Sequence, residues 1–326
     1  MKISQSNFSD SISIYKQCQY LTDILIANNV KYAVLSPGSR NAPLIINFAR
    51  EPRIKSWIIV DERSAAFAAI GIAQYTDSPV ALICTSGSAV LNYAPAISEA
   101  YYRNIPIIVI SADRPEEWID QNDSQTIRQH GILSNIVKQS YSLPTRCDDA
   151  TSSWYADRLI NDAIISATSS PKGPVHINMP FRDSLCVTTT KKNINTRIIE
   201  HPDIKRNLDE NFMRSLADEI ATAEKVMIVA GFGPQSTKLN TALSNLASHK
   251  NIVVLTETIS NLHDKQFINT VDRILSCMHR EDAQEYVPQL LITFGGSFVS
   301  KVLKKFLRKY PSMQEWRIGI EYNTID

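Results

Sequence analysis

Four short segments of this sequence carry residues able to bind an anion or move a proton. Ser36-Pro-Gly-Ser-Arg-Asn-Ala-Pro43 follows an apolar run and leads into a helical one. Pro37 and Gly38 set a tight turn, Ser39 or Asn41 is placed to cap the helix, and Pro43 suits its first turn. Free amides at such a helix start attract an anion, and Arg40 adds a charge that does not titrate. An ordinary strand-to-helix turn with a solvated arginine accounts for the same residues as well. Asp61-Glu-Arg-Ser64 sets three charges ahead of a helix rich in small residues, Ala65, Ala66, Ala68 and Ala69. Asp61 reads most simply as an N-cap and Glu62 as a favourable first-turn acid. A carboxylate desolvated against a close neighbour at that point would instead be able to relay a proton.

The third segment, Thr85-Ser-Gly-Ser-Ala89, is a hydroxyl-rich turn whose default role is helix capping. It is not a nucleophile elbow, because no glycine stands two residues before the serine. The fourth is Asp113-Arg-Pro115, followed after a polar loop by Gln125-Thr-Ile-Arg-Gln129. Further on, Gly231-Phe-Gly-Pro234 is half of a dinucleotide fingerprint, with the third glycine missing. Lys301, Lys304, Lys305, Arg308 and Lys309 interleave with Val302, Leu303, Phe306 and Leu307, the pattern of an amphipathic helix with a solvated basic face. The six histidines are scattered, which leaves no metal site built from this chain alone.

The elements that must position these residues follow from the apolar runs. Tyr32–Ser36, Trp57–Val60, Val80–Thr85, Ile107–Ser111 and Val175–Asn178 are short, rich in Val and Ile, and barely alternate, as strands covered on both faces do. Helical stretches lie between them, Ser64–Tyr75 and Ala89–Tyr102 among them, while Pro115–His130 reads as irregular loop with at most a short helix. The pattern lapses over 187–210 and then resumes with strands Val226–Ala230, Ile252–Thr256, Leu290–Phe294 and Trp316–Glu321. Leu239, Leu243 and Leu246 make 237–248 an amphipathic helix. The reading is α/β: two doubly wound, mostly parallel-sheet domains, over residues 1–186 and 211–326, joined by a linker at 187–210. In such sheets ligands bind at the carboxyl ends of the strands, where all four segments would meet.

Composition narrows the function classes. The chain has 326 residues, 44% hydrophobic and 21% charged, with a formal net charge of +1, so no global field favours nucleic acid. No apolar run approaches the roughly 18 residues that span a bilayer. The first residues lack the apolar core of a secretory signal, and five dispersed cysteines suit neither a disulfide framework nor a zinc site. A cytoplasmic location is the expectation.

Taken in order, the segments are more specific than any one of them. Ser36–Arg40, Asp61–Arg63, Thr85–Ala89, Asn92-Tyr-Ala-Pro-Ala96, Ser111–Pro115 and Gln125–Gln129 together resemble the pyrimidine-binding domain of thiamin-diphosphate-dependent enzymes. Within that family they are most similar to the carboligases of menaquinone biosynthesis. The likeness is strong over about residues 15–182, and looser beyond through Gly231–Pro234 and Phe294–Lys301. The resemblance implies that Glu62 bonds N1′ of the cofactor's aminopyrimidine and so promotes loss of the proton from C2 of the thiazolium. It implies decarboxylation of 2-oxoglutarate and conjugate addition of the acyl carbanion to isochorismate, a transferase reaction. Both substrates carry two carboxylates, and the resemblance assigns Ser39, Arg40, Arg114 and Gln125 to hold them, with Lys301 from the middle domain. At the neighbouring position, where the family has a second basic residue, this chain has Val302.

The resemblance also implies Mg²⁺ or Mn²⁺ held by a Gly-Asp-Gly motif in a third, diphosphate-binding domain, and a homodimer or homotetramer with shared active sites. None of the ten glycines here is followed by Asp. The expectation is therefore a pyrimidine domain plus middle domain, inactive alone, carrying Glu62 and part of the substrate shell but no metal site. Two other readings stay open: a different thiamin enzyme, such as an acetolactate synthase or 2-oxoacid decarboxylase, and a non-catalytic binding module of the same fold. The arginine of the Ser36–Arg40 loop speaks against the former, since monoanionic substrates need fewer cations.

Overall fold

The structure is a computed structural model and describes residues 11–190, 194–202, 207–279 and 281–319. The chain divides into two compact units, residues 1–203 and 204–326.

The first unit is built on a six-stranded, wholly parallel sheet in the order β3-β2-β4-β5-β7-β6. Its strands are β2 (Tyr32–Leu35), β3 (Lys55–Ile58), β4 (Val80–Cys84), β5 (Ile107–Asp113), β6 (Ser140–Ser142) and β7 (Val175–Pro180). Successive residues of one strand point to opposite faces, so each buried strand feeds two cores. Ala81, Ile83, Ile108 and Ile110 pack with helices α1 (Lys16–Ala27), α2 (Ala42–Ala49) and α6 (Ala150–Thr168). Leu82, Cys84, Ile107 and Val109 pack on the other face with α3 (Glu62–Thr76) and with α4 (Ala89–Asn92) and α5 (Ala94–Tyr102). The expected single helix over 89–102 is thus two, with Tyr93 between them and Pro95 in the first turn of α5. The expected strand Trp57–Val60 begins two residues earlier and ends at Ile58, because Ile59 N–H closes the ladder on Leu35 O at 3.0 Å.

Residues 188–190, within the polar stretch after Pro180, form β8 (Thr188–Thr190), which pairs antiparallel with β1 (Ser11–Ser13). Three consecutive threonines favour extended backbone whatever their polarity. Beyond them Asn161 of α6 holds the chain at both Arg197 O and Ile199 N–H.

The second unit has a four-stranded parallel sheet in the order β10-β9-β11-β12. Its strands β9 (Val226–Ala230), β10 (Ile252–Thr256) and β11 (Leu290–Phe294) have the expected bounds, and β12 (Gln314–Ile318) lies two residues earlier than expected at its start. Helices α7 (Glu210–Thr222) and α8 (Thr237–Ala247) serve one face, through Ile220 and Leu243. On the other lie α9 (Val271–Cys277) and α10 (Lys301–Lys309), through Val271, Leu303 and Phe306. Both units are doubly wound.

Candidate functional site

In the six-stranded sheet the chain leaves β2 for β3 on one side and returns to β4 on the other. The topological switch point therefore lies between the carboxyl ends of β2 and β4, where an open α/β sheet parts into a crevice. Ser36 N–H donates to Ile83 O over 2.8 Å, and a β-carbon on Gly38 would lie only 2.5 Å from Cβ of Thr85. Glycine is required at Gly38 for that close approach, not for a special φ. Asn41 occupies the N-cap position of α2 but makes no capping bond. Its carboxamide turns back, accepting from Gly38 N–H (2.8 Å) and donating to Ser36 O (2.9 Å), so it braces the turn. Ser39, the alternative cap, is exposed at the tip.

Asp61 does cap α3, accepting from Ser64 N–H at 2.7 Å. That frees Glu62, the first helical residue, from a capping duty. Glu62 is half-buried, and its charge adds to the burial that raises the pKa of the Cys84 thiol and the Tyr93 hydroxyl. Tyr93 is fully buried beside Ser36 Oγ. Glu62 thus borders the switch point near a fully buried, weakly polar group of Ser36, Cys84 and Tyr93. In the Thr85–Ala89 turn, whose default role is helix capping, the N-cap residue Ser88 makes no capping bond.

Arg40 and Arg114 come together at the same strand edge. Arg40 is 7% exposed and donates to Phe181 O at 2.9 Å, and to Asp183 Oδ1 at 3.3 Å. Its pKa is lowered, first by burial and then by the charge of Arg114, yet a guanidinium stays protonated. Arg114 is half-buried, and its Nε lies 3.1 Å from Asp123 Oδ2 without the alignment of a hydrogen bond. Each cation is met by an aspartate, and Asp183 is 82% exposed. Two adjacent guanidiniums, each facing a carboxylate, have the chemistry to bind a ligand with two acidic groups. Asp183 and Phe181 were not among the expected residues; they follow β7, and the rule of strand ends applied to that fifth strand would have found them.

Gln125 lies across the turn after β4, with φ +55°, its Nε2 donating to Ser86 O at 3.0 Å. Gly87, at φ +79°, has room for no β-carbon beside Gln125 O. Beneath this pair runs a buried polar network that includes Asp113, Asn178, Ser111 and His176. Asp113 Oδ2 accepts from Asn178 Nδ2 (2.8 Å), its Oδ1 from Arg114 N–H (2.8 Å), and burial raises its pKa.

Lys301 belongs to the second unit, at the exposed first turn of α10, and Val302 is half-buried beside it. The start of that helix is held by Glu257, whose carboxylate accepts from Val299 N–H (2.8 Å) and Ser300 N–H (2.6 Å). Glu257 thus fixes the entry to α10, and Ser300 Oγ caps it by accepting from Leu303 N–H at 2.9 Å. In the Gly231–Pro234 turn a β-carbon on Gly231 would meet Gly296 O at 2.0 Å, so its glycine serves packing between strand ends and not a pyrophosphate.

Among the described residues no cluster of three or more His, Cys, Asp or Glu is placed to hold a metal ion. Glu62, a half-buried carboxylate at a helix start beside the switch point, fits the one ring nitrogen that an aminopyrimidine offers to an acid, while Cys84 and Tyr93 near it are wholly buried and shape the site from beneath.

Residues 16–132 match the thiamine pyrophosphate enzyme, N-terminal TPP binding domain family. Along 98% of its length the chain is 41% identical to a 2-succinyl-5-enolpyruvyl-6-hydroxy-3-cyclohexene-1-carboxylate synthase of Porphyromonas gingivalis, of which it covers 55%. A synthase of the same name from Flavobacterium johnsoniae is 43% identical over 92% of this chain and 53% of its own. The chain thus spans about half the length of the curated relatives it matches. An X-ray structure from Mycobacterium smegmatis, described as a thiamin diphosphate-dependent enzyme, superposes with a TM-score of 0.62 at 17% identity, over 86% of this chain and 52% of that one. That likeness is one of fold. No described helix is long and apolar enough to cross a membrane. With the motif segments, the doubly wound fold and these relatives in agreement, the chain belongs to the thiamin-diphosphate-dependent enzymes, and the relatives that match nearly all of it are 2-succinyl-5-enolpyruvyl-6-hydroxy-3-cyclohexene-1-carboxylate synthases.

Proposed function

We propose that this chain is the pyrimidine-side and middle part of a cytoplasmic synthase that decarboxylates 2-oxoglutarate and adds the product carbanion to isochorismate. The observation that carries this reading is the pairing of buried Arg40 with Arg114 at the strand edge that also bears Glu62. Both proposed substrates have two carboxylates, and the pair suits them better than a monoanion such as pyruvate. Thiamin diphosphate, when bound, supplies the electron sink for decarboxylation and carbon–carbon bond formation.

The chain's own residues have separate tasks. Glu62 holds and exchanges a proton with the aminopyrimidine ring nitrogen, from a site partly shielded from water. Arg40 and Arg114 release Asp183 and Asp123 and take up substrate carboxylates, with Ser39 and Gln125 supplying uncharged contacts. Lys301 adds a cation from the middle domain. The Mg²⁺ or Mn²⁺ and diphosphate ligands come from outside these 326 residues, as in a homodimer or homotetramer with shared sites, and the chain by itself is inactive. The test is a panel of 2-oxoacids with isochorismate on the complete enzyme. Preference for 2-oxoglutarate over pyruvate, lost on Arg40→Lys or Arg114→Ala, is expected. Equal use of pyruvate would favour the acetolactate-synthase reading, and turnover by the pure 326-residue chain would overturn its inactivity.

A further inference from the structure

Gln129 does not line the crevice, yet it touches every element that shapes the edge around Gln125 and Arg114. It is 0% exposed, and its carboxamide is saturated. Oε1 accepts from Gly87 N–H at 2.9 Å, in the turn after β4. Nε2 donates to Ala112 O (2.8 Å) and lies 3.0 Å from Ser111 Oγ, both at the end of β5. The same nitrogen donates to Asn178 Oδ1 on β7 at 2.7 Å, and Asn178 in turn donates to Asp113, whose other oxygen holds the Arg114 N–H. One amide therefore ties three strand ends to the loop that bears it.

The loop and the turn are clasped reciprocally. Gln125 Nε2 donates to Ser86 O, and four residues later Gln129 accepts from Gly87 N–H. Gln125 is a non-glycine residue in the left-handed region, a conformation that persists only where surroundings over-determine it. Gly87 is left-handed too and is pressed against the Gln125 carbonyl, so neither can shift alone. Buried bonds arranged in this way rigidify the groups they join, and loss of the Gln129 amide leaves several of them unpaired.

We propose that Gln129 is a positioning residue for the dicarboxylate subsite, setting the backbone at Gln125 through Gly87 and the place of Arg114 through Asn178 and Asp113. This rests on the substrate reading given above. No other uncharged side chain matches both polar ends. Glutamate would remove both donors and bring a charge beside buried Asp113, while methionine keeps the volume and removes every bond.

The experiment is binding of isophthalate, a stable dicarboxylate, to the 326-residue chain and to its Gln129→Met form, with benzoate as control. Amide exchange at Gly87 and Gln125 is followed by ¹⁵N NMR. The expected result is at least a tenfold weaker isophthalate affinity in Gln129→Met, little change for benzoate, faster exchange at Gly87 and Gln125 than at amides outside the network, and a lowered thermal midpoint in a chain that still folds. Unchanged isophthalate affinity in a folded Gln129→Met chain would overturn the proposal. If the parent chain binds no isophthalate, the dicarboxylate reading fails, and exchange decides the positioning claim by itself. Should Gln129→Met not fold, a Gly87 amide that exchanges in the parent as fast as a free peptide sinks it, whereas strong protection there upholds it.

Discussion

Gly38 and Thr85 stand so close across the switch point that a β-carbon on the glycine would overlap that of the threonine, at 2.5 Å. They belong to the two turns that part at the crevice, after β2 and after β4. The contact locks those turns into one rigid rim. Glu62 stands near the rim, where its charge reaches buried Cys84 and Tyr93, and Arg40 and Arg114 stand close enough to feel one another at the ends of β2 and β5. A site built from strand ends inherits the stiffness of the sheet, which keeps a proton donor and its target at fixed separation.

Glu62→Gln in the complete enzyme should leave the fold intact, since Asp61 and not Glu62 caps α3. It removes the ionisable proton carrier. Turnover should fall by roughly 10²–10⁴, the usual worth of a general acid–base group. Deuterium exchange at C2 of bound thiamin diphosphate should slow in parallel. Normal exchange in the variant would take Glu62 out of the chemistry.

Thiamin diphosphate with Mg²⁺, titrated into the 326-residue chain, should give little or no heat. Glu62 offers the pyrimidine one bond, without an anchor for the diphosphate. Tight, metal-dependent binding would mean that residues of this chain hold the diphosphate after all.

Stability should decline in acid because of His176. It is fully buried between Ser111 Oγ (2.7 Å) and a side with no partner for Nδ1 among the described residues, and burial pulls its pKa from 6.5 to about 3. The folded state thus holds it neutral while the unfolded chain takes up a proton below pH 6.5. Stability from this group is complete above 6.5, falls as pH drops towards 3, and is level below that. The slope is at most about 1.4 kcal/mol per pH unit. Asp113, whose pKa burial raises, acts in the opposite sense over a window just above 3.8. Urea unfolding between pH 7 and 4 should show the decline, and His176→Asn should flatten it. An equally steep decline in the variant would assign it elsewhere.

Gly231→Ala should destabilise the second unit by on the order of 3 kcal/mol, the upper range for overpacking, because the new methyl meets the rigid Gly296 carbonyl at 2.0 Å. Trp316 reports on this unit by its fluorescence. A melting curve like that of the parent would show that the two strand ends can part.

The parallel strands were legible because their residues are apolar without alternation: Val226–Ala230, Ile252–Thr256 and Leu290–Phe294 read correctly to the residue. Polar threonines hid β8, and the sequence distance to β1 hid its partner. The motif residues Ser39, Arg40, Glu62, Arg114 and Gln125 could be picked out from their types and from the order of the segments that carry them. What each side chain does there could not. Whether Asn41 caps its helix or braces its own turn depends on where Gly38 and Ser36 sit. That Arg40 is buried against Phe181 O, and Gln129 against Gly87, depends on contacts 141 and 42 residues apart in the chain. Local sequence determines which segments extend, coil or turn, since those preferences act between near neighbours. Pairing of charges and satisfaction of buried amides are decided only when the sheet order brings distant strand ends to one edge, because hydrogen bonds and desolvation act over a few ångströms of space and not along the chain.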